Sequence, residues 1–279
     1  MAWRQAPPSG PPRPAPGILD RVRAAIYYVM LFVTVVPFAF ALILGYVLPV
    51  RLRYRIAAGW TGLAIWGARR ICGLRWRVEG WENLPDAPAI LLPKHQSAWE
   101  TLWLQSTMPR PLTFVYKREL HLVPFFGWGI ASLRMINIDR SRGADAFEQV
   151  VEQGAEHLRR GWWVLIFPEG TRTPPGSLRR YKTGGARLAV RTGALAVPIA
   201  HNAGELWPRN AFAKTPGEIV VSIGPPIDPA GKTADVVNAL VESWIETEMR
   251  RLAPHRYSGP YVPGNAVGSR EAARPGGAI

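Results

Sequence analysis

The sequence contains a single cysteine, Cys72, among its 279 residues. One thiol cannot form an intrachain disulfide and cannot build a cysteine metal cluster, so the sequence excludes both. Cys72 lies in the segment Arg70-Ile71-Cys72-Gly73-Leu74, which matches no catalytic signature. We therefore interpret it as a buried bystander rather than as a nucleophile.

Lysine and acidic residues are both scarce relative to arginine. The chain carries 34 lysine and arginine residues against 20 aspartate and glutamate residues, a net charge of +14, and only five of the basic residues are lysine. Arginine favours two-pronged contacts with phosphate or carboxylate, although an Ala-, Arg-, Gly- and Pro-rich composition is also typical of high-GC coding. The positive charge predicts attraction to anionic lipid or nucleic acid. The arginines form no recognisable nucleic-acid module, so we do not expect a nucleic-acid partner.

Charge is missing altogether from residues 24–50, a run of 27 residues that is long enough to cross a bilayer. The run is too long for a signal peptide and has no obvious small-residue cleavage site. Pro37 sits in its middle, and a proline there can kink or break a helix. Because basic residues flank both ends, two arrangements remain open. They are a simple span and a re-entrant helical hairpin with both flanks on the cytoplasmic face.

The chain divides into four segments by composition. Residues 1–17 are proline-rich and predicted to be disordered. Residues 18–75 hold the apolar run and an arginine- and tryptophan-rich helical stretch, and we interpret them as membrane-anchoring helices. An ordinary solvated helix face is the alternative for that stretch. Residues 76–253 are predicted to form the main domain, and 254–279 a flexible Pro/Gly-rich tail.

In the main domain, short apolar runs alternate with helical patterns, which predicts an α/β fold with a mixed sheet covered by helices. A helix is expected between Ile138 and Trp162, and a last helix over 234–252 with Thr233 as its N-cap. The predicted strands are 76–79, 89–92, 113–116, 135–138, 163–167, 196–199 and 219–223.

His95 and Glu100 form a candidate base and its orienting carboxylate. His95 follows the strand-like run that ends at Leu92, and loops at strand ends commonly carry catalytic groups. A spacing of five residues keeps the two side chains apart on a regular helix. They can meet if His95 lies in a turn and Glu100 in the first turns of the following helix, which Ser97 could cap. A carboxylate on one imidazole nitrogen fixes the tautomer, and the other nitrogen can accept a proton from a substrate hydroxyl.

A second motif, Phe167-Pro168-Glu169-Gly170-Thr171-Arg172, follows another predicted strand. Gly170 permits a tight turn with backbone close to a ligand, and Arg172 can bind a phosphate through two parallel hydrogen bonds. Alone, the motif could also hold a surface ion pair between Glu169 and Arg172. The basic segment 179–182 could guide phosphates of a second substrate or be a solvated loop.

The segment Lys94-His95-Gln96-Ser97-Ala98-Trp99-Glu100 resembles the His-x4-Asp motif of the glycerolipid acyltransferases, in particular the bacterial 1-acylglycerol-3-phosphate acyltransferases. Over residues 78–225 further blocks of that family follow in order. They are Gly80-Trp81-Glu82-Asn83-Leu84-Pro85, Lys117-Arg118-Glu119-Leu120 with Ile138-Asp139-Arg140, Phe167–Arg172, and Val197-Pro198-Ile199-Ala200. This chain departs from the usual family pattern by having Glu100 in place of Asp and Lys94 in place of Asn.

The resemblance implies acyl transfer from acyl-CoA or acyl-carrier protein to the sn-2 hydroxyl of lysophosphatidic acid, with His95 and Glu100 as the catalytic pair. It implies no cofactor and no metal, and a cytoplasmic (inner) membrane location with the active site facing the cytoplasm. Other acceptors remain open, namely glycerol 3-phosphate, lysophospholipids and lyso-ornithine lipid. A non-catalytic basic membrane adaptor is a more remote alternative. The residues that the resemblance assigns to substrate phosphate are Lys117, Arg140, Glu169, Gly170, Thr171 and Arg172.

Overall fold

The computed structural model of the chain describes residues 16–117, 126–138 and 144–262. The side chains of 117, 126 and 144–147 are not described. Within these residues the strands are β1 (Leu74–Glu79), β2 (Ile90–Pro93), β3 (Leu112–Lys117), β4 (Ile136–Ile138), β5 (Trp163–Leu165), β6 (Ala196–His201) and β7 (Gly217–Ile223). The helices are α1 (Ile18–Leu44), α2 (Val50–Arg70), α3 (Trp99–Thr107), α4 (Phe126–Ser132), α5 (Ala144–Arg159), α6 (Gly184–Thr192), α7 (Ala203–Leu206) and α8 (Ala234–Leu252).

The seven described strands form one sheet in the order β1-β7-β6-β2-β5-β3-β4. Strands β6, β2, β5, β3 and β4 run parallel to one another, and β7 pairs antiparallel with β6. β1 is parallel to β7. The predicted mixed α/β sheet is therefore confirmed. The carboxyl ends of β2, β3 and β5 lie at one edge, which is where loops of parallel sheets collect functional groups.

Helices cover both faces of the sheet, and each face has its own apolar core. One core joins Leu91 of β2 to side chains of α1, α2 and α3, among them the buried Trp99 and Trp103. The other joins Ile90 and Leu92 to side chains of α5, α6 and α8. Alternate residues of β2 thus enter opposite cores, as the two-residue period of a strand requires.

Helix α1 is continuous through Pro37, so the proline does not break it. A proline removes only one backbone donor from the helix, and two side-chain hydrogen bonds support the turn before it, one of them from α2. Thr34 Oγ1 donates to the Met30 carbonyl (2.7 Å), and Trp60 Nε1 of α2 donates to Thr34 Oγ1 (3.3 Å). The chain reverses instead after Leu44, through a 3-10 turn that precedes Pro49. The result is a helical hairpin of α1 and α2.

Two segment boundaries predicted from composition do not coincide with boundaries in the structure. The boundary at 75/76 falls inside β1, and Tyr27 of α1 and Ile65 of α2 belong to the same apolar core as the sheet. The expected flexible tail starts with an ordered 3-10 turn, Pro254–Arg256, and the Tyr257 side chain is buried. Residues 1–15 and 263–279 lie outside the described residues.

Candidate active site

Two loops at the carboxyl ends of neighbouring parallel strands build the site. His95 stands two residues beyond the end of β2, and the Phe167–Arg172 motif starts two residues beyond the end of β5. Because β2 and β5 pair in parallel, the two loops emerge at the same edge of the sheet. Glu100 is the second residue of α3, so the helix starts between the histidine and its carboxylate.

His95 and Glu100 are in direct contact. The distance from His95 Nδ1 to Glu100 Oε1 is 2.8 Å. The same carboxylate oxygen accepts the backbone N–H groups of Gln96 (3.0 Å) and Ser97 (2.8 Å). Ser97 Oγ in turn accepts the Trp99 N–H at 3.1 Å, at the start of α3. This is the loop-then-helix arrangement that the spacing required, and it leaves Nε2 as the imidazole nitrogen not bonded to Glu100.

The surroundings of Glu100 keep its carboxyl group ionised. Its side chain is only 1% exposed, and such burial alone would raise its pKa. The neighbouring His201 and the hydrogen bonds from His95 and Ser97 outweigh burial and hold the pKa of Glu100 below its ordinary value. The carboxylate can therefore accept the Nδ1 proton of His95 and stabilise positive charge on the ring.

Phe167 fixes the plane of the histidine ring. The ring centroids of His95 and Phe167 are 3.6 Å apart, and their planes differ by 16°. The motif after β5 thus contributes an aromatic wall to the base as well as polar groups, a role that the sequence pattern did not indicate.

The backbone of His95 is also held by the second motif. Glu169 Oε2 accepts the His95 N–H at 2.7 Å, and the His95 carbonyl accepts the Thr173 N–H at 2.8 Å. Thr173 Oγ1 donates to Glu169 Oε1 (2.7 Å), which closes the arrangement. Both peptide groups of the histidine are therefore bound by the loop after β5, and the two sequence motifs form one unit.

Glu169 was expected to contact substrate phosphate, and its position does not suit that role. Its side chain is fully buried, and Oε1 lies 2.8 Å from Lys94 Nζ. The alternative of a surface pair between Glu169 and Arg172 does not fit either, since the ionic partner of Glu169 is Lys94. A buried anion bonded to a cation, a backbone amide and a hydroxyl positions neighbouring groups and would repel a phosphate.

The remaining motif residues, Gly170, Thr171 and Arg172, are more exposed than Glu169. Gly170 adopts a left-handed φ of +67°, and a Cβ at this position would lie 3.0 Å from Lys182 Cε. Thr171 and Arg172 are partly exposed. The Arg172 carbonyl accepts a hydrogen bond from Arg209 Nη1 (3.1 Å), whereas its guanidinium has no hydrogen bond or ion pair within the ranges described.

For two of the expected phosphate ligands, Lys117 and Arg140, the structure does not describe the side chain. The backbone of Lys117 ends β3, beside β5 and at the same sheet edge, but its side chain is not described. Arg140 lies outside the described residues.

His201 is a site residue that the sequence analysis missed. It is buried at the end of β6, where Nε2–H donates to the Lys94 carbonyl (2.8 Å) and Nδ1 accepts the Ala203 N–H (3.3 Å). Burial lowers the pKa of His201, although the nearby Glu100 opposes the change, so the ring is neutral and supports the catalytic loop. A histidine directly after the apolar block 197–200 was the available signal.

Comparison with known proteins gives a consistent assignment. A family model described as acyltransferase matches residues 75–202. A 1-acyl-sn-glycerol-3-phosphate acyltransferase of Pseudomonas aeruginosa is 42% identical over 241 residues, which cover 85% of this chain and 93% of that protein. A chloroplast protein of the same name from Arabidopsis thaliana is 30% identical over 250 residues, covering 85% of this chain and 67% of that protein.

A solved structure shares the fold. The crystal structure of the 1-acyl-sn-glycerophosphate (LPA) acyltransferase of Thermotoga maritima superposes with a TM-score of 0.70 at 24% identity. The match covers 87% of this chain and 99% of that chain, so it extends over most of the described residues.

Proposed function

This chain belongs to the 1-acyl-sn-glycerol-3-phosphate acyltransferase family, and we propose that it acylates the sn-2 hydroxyl of lysophosphatidic acid to give phosphatidic acid. The acyl donor is acyl-CoA or acyl-carrier protein. The observation that carries the proposal is the 2.8 Å contact between His95 Nδ1 and Glu100, which leaves Nε2 for the substrate. Arg172, in the loop that binds the His95 backbone, supplies the group for the acceptor phosphate.

The reaction proceeds by general base catalysis. His95 Nε2 accepts the proton of the acceptor hydroxyl as the oxygen attacks the thioester carbonyl carbon. A tetrahedral oxyanion forms, the carbon–sulfur bond breaks, and the departing thiolate takes the proton back from the imidazolium. Glu100 stabilises the imidazolium through Nδ1–H in the meantime. The two substrates and His95 thus account for every atom and charge in the transfer, and the imidazole returns to its neutral form.

The backbone amides nearest the base are not the ones that stabilise the oxyanion. Those of Gln96 and Ser97 both donate to Glu100 Oε1, so they act on the orienting carboxylate. The oxyanion donors therefore lie elsewhere in the site, and the amides of 96 and 97 contribute to the alignment of the base.

The helical hairpin supports a location at the membrane surface. Helix α1 lies in the one described segment long and apolar enough to cross a membrane, Ile18–Val47. However, Tyr54 of α2 donates to the Gln105 carbonyl of α3 (3.0 Å), and Tyr27 of α1 packs edge-on against Trp207 at 5.7 Å. Since the hairpin is packed on the catalytic domain, we propose that it lies in one leaflet of the membrane and does not span the bilayer. Apolar side chains exposed on α1 are Ile18, Leu19, Val22, Ile26, Val29, Phe32, Val33, Phe40 and Leu44.

We propose that the active site faces the cytoplasm at the inner membrane, where the lysolipid acceptor is in the bilayer and the acyl donor is soluble. The double variant Phe32→Ser/Phe40→Ser should co-sediment less with anionic phospholipid vesicles than the wild type does. Equal co-sedimentation would contradict the assignment of α1 to the membrane.

The assay that tests the proposed function offers purified protein three acceptors separately in detergent. They are lysophosphatidic acid, glycerol 3-phosphate and lyso-ornithine lipid, each with acyl-CoA and with acyl-carrier protein. We expect product from lysophosphatidic acid in the wild type and none in His95→Ala. Product from another acceptor alone would keep the mechanism and change the substrate, whereas turnover in His95→Ala would remove His95 as the base. Lipid binding without turnover under any condition would favour the adaptor.

A further inference from the structure

A second group of ionisable side chains lies buried behind the catalytic loop. Lys94 Nζ is 2.8 Å from Glu169 Oε1 and 2.6 Å from Glu246 Oε1 of α8. Tyr181 OH donates to the same Glu246 oxygen at 3.0 Å. The side chains of Lys94, Glu169 and Glu246 are fully buried, and Tyr181 is 2% exposed. One ammonium group thus bridges two carboxylates in the interior.

The charges in this group depend on one another. Burial alone would lower the pKa of Lys94, but the two carboxylates outweigh burial and raise it, so the side chain stays charged. Without that cation, two buried carboxylates would lie close together with only the partly exposed Arg250, whose Nη1 is 3.6 Å from Glu246 Oε2, to balance them, which is costly. A buried ion group of this kind is strongly destabilised by loss of one partner, yet it tolerates balanced removal of both charges much better.

The group is connected directly to the base. Glu169 uses Oε1 for Lys94 and Oε2 for the backbone N–H of His95. Lys94 also precedes His95 in the chain, and its carbonyl accepts the bond from His201. A continuous series of contacts therefore runs from α8 through Glu246, Lys94 and Glu169 to the peptide group of the catalytic histidine.

We propose that Lys94 and Glu246 are positioning residues for acyl transfer, an inference that rests on the proposed function of the site. Glu246 fixes the ammonium group of Lys94, Lys94 fixes the Glu169 carboxylate, and Glu169 fixes the His95 backbone. Glu246 lies 152 residues from Lys94 and outside the residues 75–202 matched by the family model. The C-terminal helix α8 is then part of the catalytic apparatus as well as a cover for the sheet.

The primary test is Lys94→Met, which keeps the volume of the side chain and removes the cation. Misplacement of a base by about 1 Å can cost about 100-fold in rate, and we expect a kcat loss of about that size. The KM for lysophosphatidic acid should stay within a few-fold of wild type, because Arg172 is untouched. Wild-type kcat in folded Lys94→Met would overturn the proposal.

A double-mutant cycle tests whether Glu246 acts through Lys94. In Lys94→Met/Glu246→Gln the glutamine oxygen can still accept the Tyr181 hydroxyl, but no ammonium group remains for residue 246 to fix. We therefore expect the kcat of the double variant to be close to that of Lys94→Met, although Glu246→Gln alone lowers kcat. A further kcat loss in the double variant as large as that caused by Glu246→Gln alone would show that Glu246 does not act through Lys94.

Lys214→Met is the matched control. Lys214 is equally buried, at 1% exposure, but its Nζ donates to the Phe212 carbonyl (2.9 Å) and lies 3.8 Å from the Tyr28 ring centroid. This variant should keep its kcat per folded molecule. The turnover is measured by steady-state kinetics and the folded fraction by circular dichroism. An equal kcat loss in Lys214→Met would reduce the Lys94 effect to general destabilisation.

If Lys94→Met does not fold, Glu246→Gln gives the same answer in a milder form. It keeps size and hydrogen-bond acceptor, and we expect a several-fold lower kcat with unchanged KM. An unchanged kcat would overturn the link to α8. In every case wild-type turnover and an inactive His95→Ala are measured in parallel, so a failure of the proposed function is recognised separately.

Discussion

Glu100 and Glu169 are both fully buried carboxylates bonded to His95, but they bind different parts of the residue. Glu100 meets the imidazole ring at Nδ1, five residues along the same loop and helix. Glu169 comes from the loop after β5 and meets the backbone N–H of His95. The comparison shows that one carboxylate sets the tautomer and charge of the base, whereas the other sets where the base stands.

The largest expected effect comes from Glu100→Gln. The neutral amide cannot stabilise the imidazolium, so kcat should fall by about 10²- to 10⁴-fold, the range that general base catalysis contributes. Glu100→Asp keeps the charge and should retain activity after a small shift of the start of α3. Steady-state kinetics on both variants test the comparison, and equal activity of the Gln and Asp variants would contradict a charge-dependent role.

Glu169→Gln should have a smaller effect on the same reaction. The glutamine oxygen can still accept the His95 N–H, but the attraction to Lys94 is lost and the loop loosens, so we expect a kcat loss of about 10- to 100-fold. Glu148→Gln, which changes an exposed partner of Arg187, serves as the control and should turn over normally. A Glu169→Gln loss as large as that of Glu100→Gln would remove the distinction between the two carboxylates.

Arg172→Ala should affect binding of the acceptor, which neither carboxylate contacts. Loss of a hydrogen bond to a charged group costs roughly 1.5–3 kcal/mol, so the KM for lysophosphatidic acid should rise by about 10- to 100-fold. Arg191→Ala, which removes an exposed arginine paired with Glu148, should leave KM unchanged. An acceptor without phosphate should be insensitive to Arg172→Ala, and an unchanged KM for lysophosphatidic acid would place Arg172 outside the site.

The smallest expected effect is on the pH dependence of protein stability. It involves Glu100 and its neighbour His201, and not Glu169. The pKa values of His201 and Glu100 are lowered in the folded protein. The unfolded chain then binds more protons as pH falls, first below the ordinary histidine pKa of about 6.5 and later below the ordinary glutamate pKa of about 4.3. The midpoint of thermal unfolding should therefore decrease between pH 7.5 and pH 5.

His157 also has a pKa lowered by burial, so the variant His157→Gln is the control for this measurement. In His157→Gln the pH dependence should be reduced but still present, because His201 remains. A flat unfolding midpoint in the wild type would contradict a neutral, buried His201.

Much of the fold could be predicted because its signals are local. Each predicted strand corresponds to an observed one, and the last helix has the predicted bounds, Ala234–Leu252, with Thr233 accepting the Val236 N–H. Apolar periodicity and capping residues specify such elements directly. The contact of His95 with Glu100 was also predictable, since five residues and a helix start determine it.

The rest of the site could not be predicted because it depends on distant pairings. No short segment shows that Lys94 meets Glu246, or that Glu169 faces inward to the histidine backbone and not outward to a phosphate. The continuity of α1 through Pro37 could not be predicted for the same reason. The supporting contact from Trp60 comes from another helix.

The stacking of Phe167 on His95 has a directional consequence. Phe167 covers one face of the imidazole at a centroid distance of 3.6 Å and holds the plane of the ring. Because the Nε2 lone pair lies in that plane, an acceptor hydroxyl must approach the base along the ring edge. The direction of proton uptake is therefore set by an aromatic side chain of the second motif, which takes no part in the proton transfer itself.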